Sequence, residues 1–272
     1  MRLVVCWMLL SGICFGQVPV ELEEFAKKAI VGVQWIPHLP ANEDFKSSVL
    51  VRNDDVDDAV RFLVVFLLPS GPNALVTYVD ENGVQGQSDT WEVSVPSQGS
   101  ALAYITAIDG ARSVHAIVFS LREPAADIIG TDNVGIEASY ARVANGQVLA
   151  TVGHGSVKPT RGFKMNLDYT TSPFSFENKL RGLAIVNTDL DVSCDCRTFL
   201  VTRSGIPVAS DTLTIPAREK WLGLAADLFP GANTLLQHGQ GSIFLACEKE
   251  ISVLGLTFQG NALGSAPIFR FN

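Results

Sequence analysis

Apolar and polar residues alternate along most of this chain. Val49 and Val51, then Val60, Phe62, Val64 and Phe66, occupy alternate positions, the period of two expected of half-buried strands. Turn chemistry separates the runs. "NDDVDD" and "NTDLD" are rich in Asn and Asp, which bond their own backbone and tolerate the left-handed region. "PSGP" and "RSG" mark the following turns. Strands then recur at short spacing with Gly, Pro and Asn between them, the pattern of an all-β sandwich.

The pattern occurs twice. "SVLVRNDDVDDAVRFLVVFLLPSG" (48–71) aligns without a gap on "GLAIVNTDLDVSCDCRTFLVTRSG" (182–205). Asn53 falls on Asn187, Asp55 on Asp189, Asp57 on Asp191, and Ser70-Gly71 on Ser204-Gly205. Further matches follow in the same order: "VSVP" (93–96) with "LTIP" (213–216), "IVFSL" (117–121) with "IFLAC" (243–247), and "IEASYAR" (136–142) with "LGLTFQG" (254–260). Two copies of one sheet pair are the simplest source of such a repeat. The Gly- and Pro-containing stretch "GHGSVKPTRG" (153–162) separates them. The expected fold class is therefore all-β, two tandem β-sandwich domains spanning 17–157 and 158–272. A short helix is expected in the second, where "AREKWLGLAADLFPG" puts Trp221, Leu224, Ala225 and Leu228 on one face before Pro230-Gly231 stops it. Another is expected over "ELEEFAKKA" (21–29).

Composition narrows the class. The chain has 272 residues, 47% hydrophobic and 18% charged, enough apolar material for packed cores and too much for intrinsic disorder. The net charge of −8 argues against a nucleic-acid partner, which needs a clustered basic surface. The N-terminus, "MRLVVCWMLLSGICFGQ", has Arg2, an apolar run and small residues before Gln17. It reads as a secretory leader over 1–16, cleaved after Gly16. The run is shorter than the ~20 residues of a spanning helix, and no later segment is long and apolar enough. The expected localisation is secreted: extracellular, on the cell surface, or in the periplasm.

"RGLAIVNTDLD", "TLTIPA", "LFPG" and "GSIFLACEKEISVLGLTFQG" together resemble the tandem Ig-like β-sandwich modules of secreted bacterial surface proteins. The resemblance covers most of 163–271, and only the first hairpin and scattered strands of 31–150. Thr188 stands where that family tends to have Pro, and the cysteines are not a family feature. The resemblance implies a structural or adhesive role outside the cell, with no chemistry to transfer.

Three of the five cysteines, Cys194, Cys196 and Cys247, remain after cleavage. In the repeat alignment they fall on Val60, Phe62 and Leu121, apolar positions of the sister copy, so all three are expected to point into one core. An oxidising compartment favours one disulfide and one spare thiol. Cys194–Cys247 is the expected pair, with Cys196–Cys247 the alternative. Zinc would need four ligands, and a redox site an exposed thiolate of low pKa.

The repeated acidic turns carry one metal reading. Asp55 and Asp57, with Asp189 and Asp191, could serve calcium, which takes six to eight oxygen ligands; ordinary turn chemistry explains the same residues. None of His38, His115, His154 and His238 sits in a known metal or nucleophile motif. Trp35, Trp91, Trp221, Tyr78, Tyr104 and Tyr169 are scattered, although exposed aromatics can stack on sugars; Trp91 and Trp221 read as core. The expected function is a non-enzymatic structural or interaction module at the bacterial surface, with no cofactor and an unidentified protein or glycan as partner. The alternative is a carbohydrate- or calcium-assisted ligand-binding module; less expected is an enzyme of unrecognised type.

Overall fold

The computed structural model describes residues 30–123, 133–168, 179–231, 240–259 and 262–272. The leader over 1–16, the helix expected over 21–29 and Tyr169 lie outside the described residues. Within them the chain is all β apart from one helical turn. The strands of the N-terminal half are β1 (Ile30–Pro40), β2 (Phe45–Asn53), β3 (Ala59–Leu67), β4 (Val76–Asp80), β5 (Gln85–Ser88), β6 (Thr90–Val95), β7 (Ser100–Ile108), β8 (Ser113–Glu123), β9 (Val134–Ala144) and β10 (Gln147–Gly155). Those of the C-terminal half are β11 (Thr160–Asp168), β12 (Lys179–Asn187), β13 (Cys194–Thr202), β14 (Pro207–Ile215), β15 (Lys220–Leu224), β16 (Gln240–Gln259), β17 (Ala262–Ala266) and β18 (Ile268–Phe271). The helical turn α1 (Ala225–Leu228) follows β15.

In the N-terminal half, one sheet has the order β1-β8-β3-β6 and the other β10-β9-β2-β7-β4-β5. In the C-terminal half, the long strand β16 serves both layers. Its first part, to Cys247, pairs with β11 and β13, with β14 and β18 beyond them; its second part, from Ile251, pairs with β12 and β17, with β15 beyond β12. The two orders match strand for strand: β1-β8-β3-β6 recurs as β11-β16-β13-β14, and β10-β9-β2-β7 as β17-β16-β12-β15. Val60 pairs with Val95 as Cys194 pairs with Ile215. Between the layers of each half lies a separate core, one around Phe62, Val64, Val49 and Ile105, the other around Phe163, Leu245, Leu183 and Val253. Alternation places these side chains on the facing surfaces of the two layers.

Two registers differ from the repeat alignment. Phe62 faces Ser120 as Cys196 faces Cys247, so Cys247 corresponds to Ser120 and not to Leu121. Val49 faces Ala138 as Leu183 faces Gly255, which shifts the last match by one residue as well. The reason is burial on both faces. Ile117, Phe119 and Leu121, on the outer face of β8, are as buried as Ala116 and Val118 on its inner face. A strand that is apolar on both sides carries no alternation to fix its register.

The short helix expected in the second half is present, but it begins after Trp221. Residues Lys220–Leu224 are strand β15, paired along β12, and only Ala225–Leu228 turn helically. A backbone that can complete a sheet ladder satisfies its polar groups there, and this overrides a short helical periodicity. Trp91 is buried in the first core. Trp221 packs, partly buried, on the second.

The outer faces of the halves meet. Trp35, Leu63, Val65, Leu67, Ile117, Phe119 and Leu121 gather around Val186 and Leu190. Tyr140, Val152 and Phe45 gather with Ala184, Leu254, Leu256 and Phe258.

Candidate functional site

The strand register decides the sulfur chemistry. Cys196 lies directly opposite Cys247, with their Cα atoms 4.0 Å apart, and these two form the disulfide. The expected Cys194–Cys247 pair is not formed. Cys194 lies two residues further along β13, diagonal to Cys247, and diagonal neighbours are typically ~7–8 Å apart at Cα, beyond ordinary disulfide reach. Cys194 is a buried free thiol, 3.7 Å from the Cys196 sulfur and 3.8 Å from the Lys249 carbonyl oxygen. Burial pushes its pKa up, the reverse of an activated nucleophile. The three sulfurs lie within 4.8 Å of one another, but two of them are spent on a covalent bond.

The acidic turns are backbone devices, built alike in both halves. The buried Asn53 amide donates to the carbonyls of Asp58, Val95 and Pro96; the buried Asn187 amide donates to those of Val192, Ile215 and Pro216. Asn53 Oδ1 accepts from the N–H of Asp55, and Asn187 Oδ1 from that of Asp189. One carboxylate oxygen of Asp55 then accepts from the N–H groups of Asp57 and Asp58, as one of Asp189 does from Asp191 and Val192. Asp189 also pairs with Lys249 at 3.3 Å. Burial works to raise the Asp189 pKa, but the two N–H groups and Lys249 outweigh it and the net shift is downward. The turn thus accounts for the recurrence of Asp55 and Asp189 through their carboxylates, while Asp57 and Asp191 enter it through their backbone N–H groups.

The turn preceding β7 and β15 repeats too. Gln98 and Arg218, both at positive φ, donate their N–H groups to the carbonyls of Asp55 and Asp189. In the second half this turn also docks on the first. The Lys220 N–H donates to the Pro69 carbonyl at 2.8 Å, and its ammonium donates to Ser113 Oγ at 3.2 Å and to the Val114 carbonyl at 2.9 Å. His115 Nε2 donates to the Arg218 carbonyl at 2.8 Å. Lys220 is 7% exposed and His115 is fully buried. Burial brings the Lys220 pKa down to about 7. Burial and the nearby Lys220 charge bring that of His115 down to about 3, against the opposing effect of its bond to Arg218. The sequence carried a signal here: Lys220 occupies the place of Ser100 in the first half, and His115 interrupts an apolar strand.

Beside this junction lies a cavity of about 360 Å³. His38, Pro40, Phe45 and Tyr140 line it from the first half; Leu222, Gly223, Leu224, Asp227, Leu256 and Phe258 are among those lining it from the second. The Tyr140 ring packs edge-on against His38 at 5.6 Å between centroids, Phe45 at 6.3 Å and His154 at 6.4 Å. His38 Nδ1 and Tyr140 Oη are buried without a hydrogen-bond partner among the described residues, a condition that costs about 1–3 kcal/mol per group. Burial, then the charges of Lys220, His154 and His115, hold the His38 pKa well below the usual value. Burial raises that of Tyr140. Both rings are thus neutral near pH 7. Sequence reasoning singled out neither, because Tyr140 and His38 belong to different strands and meet only through the fold.

No protein-family model and no curated protein matches the chain. Two solved structures, both single-site variants of oxalate decarboxylase from Bacillus subtilis, align with it weakly. One is 8% identical over 84% of this chain and 71% of its own, with a TM-score of 0.22. The other is 9% identical over 86% and 72%, with a TM-score of 0.20. Likeness at that level assigns neither fold nor activity.

Proposed function

We propose that the chain is an exported, non-enzymatic interaction module of the bacterial cell surface, made of two tandem Ig-like β-sandwich domains, 17–157 and 158–272. The observation that carries this reading is the junction. Lys220 and His115 are buried there and bonded across it, and two further apolar clusters span the halves. A chain built this way presents two sandwiches as one stiff body, which suits a spacer or a display surface for a protein or glycan. The disulfide fits an oxidising compartment, and no described helix is long and apolar enough to cross a membrane. The experiment is to express the full chain with its own leader in a bacterial host, fractionate the cells, and weigh the product. The reading expects a chain beginning at Gln17 in the medium, at the surface or in the periplasm. A chain retaining residues 1–16 in the cytosol overturns it.

A further inference from the structure

We propose that the cavity between the two halves is a binding site for a small uncharged molecule with an apolar body and one hydroxyl or carbonyl group, of the size of a substituted phenol. Its volume of about 360 Å³ falls within the ~300–1,000 Å³ of small-molecule sites. Phe45, Leu222, Leu224, Leu256 and Phe258 give it apolar walls, which select an apolar body. His38 and Tyr140 also line it, each with a buried polar atom that has no hydrogen-bond partner among the described residues. Both atoms have almost no accessible surface, so a ligand hydroxyl or carbonyl reaches them as the Tyr140 or His38 ring turns toward the cavity; a phenol then donates, and an imidazole nitrogen donates or accepts.

The charge of the ligand follows from the surroundings. Asp227 lines the cavity and disfavours a carboxylate. The buried Lys220, whose charge already acts on His38, sets the opposite sign beside the site, so neither a carboxylate nor an ammonium gains a net attraction. Burial keeps both ring groups neutral, so neither offers a counter-charge. A second space of about 520 Å³ shares His38, Pro40, Phe45 and Leu222 with the cavity and adds Asn42, Glu43, Asp44 and Arg112. It gives the ligand an aqueous approach.

The site is independent of where the chain resides, so its test is separate from that of localisation. The mature chain is titrated with 4-propylphenol, propylbenzene, 4-propylbenzoate and 4-propylanilinium by ligand-observed NMR and calorimetry. The phenol is expected to bind saturably at one site, with the other three at least tenfold weaker. Leu222→Trp, at a half-exposed position on the rim, is expected to abolish phenol binding while leaving the far-UV spectrum unchanged. Leu224→Phe, which fills the cavity from the next position but one, serves if that variant does not fold. Tyr140→Phe is expected to bring the phenol and propylbenzene affinities together. Equal affinity for propylbenzene and the phenol in the unaltered chain overturns the proposal. So does phenol binding that survives both filling variants, or no saturable binding at all.

Discussion

Asn53 and Asn187 each spend one buried amide on three carbonyls. Asn187→Ala leaves those acceptors empty in the core of a turn, and about 2–4 kcal/mol of stability should be lost. Asn187→Asp should do no better, because a carboxylate cannot donate. Urea unfolding checks both; a loss under 0.5 kcal/mol, the usual reach of a surface change, contradicts the role. The cysteines make a second prediction at this scale. One thiol, Cys194, should resist alkylation in the folded chain and react on unfolding, while peptide mapping finds Cys196 bonded to Cys247. The sequence separation of 51 makes that bond worth about 4 kcal/mol in the loop-entropy picture. Cys247→Ser should therefore cost several times more than Cys194→Ser in the same unfolding experiment. Mapping that recovers Cys194–Cys247 contradicts the register.

Single elements divide into those the sequence made legible and those it did not. Strands β2 and β13 could be read directly, because buried positions alternate with more exposed ones, and Asn-Asp chemistry closes the turns; β3 and β12, buried on both faces, were placed by the repeat that carries them. The class of fold and the inward direction of all three cysteines followed. The register of β8 and β16 did not, because Ile117, Phe119 and Leu121 are buried against the other half and the polar residues among them, His115 and Ser120, are buried too. The sulfur pair was missed for another reason: Cys194 and Cys247 both lie beside turns, and nearness to a turn does not fix which residue of β13 stands opposite Cys247. Strand β15 was hidden for a different reason: "KWLGL" has helical spacing, and only β12 beside it makes it a strand. The C-terminal strand makes a prediction of its own. Gly162 on β11 lies under the Phe271 ring, and a Cβ there would come within 2.7 Å of the Leu245 carbonyl oxygen. Gly162→Ala should cost about 1–3 kcal/mol through overpacking and expose the β18 amides to exchange. An unchanged unfolding midpoint contradicts that packing.

For the whole molecule, the junction sets the response to pH. His38, His115 and His154 have lowered pKa values in the folded chain, against 6.5 for the free side chain. Below pH 6.5 the unfolded chain takes up protons that the folded chain refuses, so stability falls as pH drops from 6.5 towards about 3, by at most ~1.4 kcal/mol per pH unit for each group. Lys220 acts in the same direction in a higher window: its pKa is about 7 when folded against 10.5 unfolded, so stability should rise across that range. Lys220→Met should flatten the rise above pH 7 and weaken the acid limb without abolishing it, since burial is the larger cause of the His38 and His115 shifts. Unfolding free energies at pH 5, 7 and 9 for both chains check this, and an unaltered alkaline slope in the variant contradicts it.

The two halves act as one body only if the junction stays closed. Hydrogen exchange at the backbone N–H of Lys220, which reaches across to the Pro69 carbonyl, reports that directly. Protection equal to that of the β12 and β13 amides is the result expected of locked halves. Exchange at the rate of an exposed loop would mean that the halves swing apart, and the stiff body, its pH response and the shared cavity would all be contradicted.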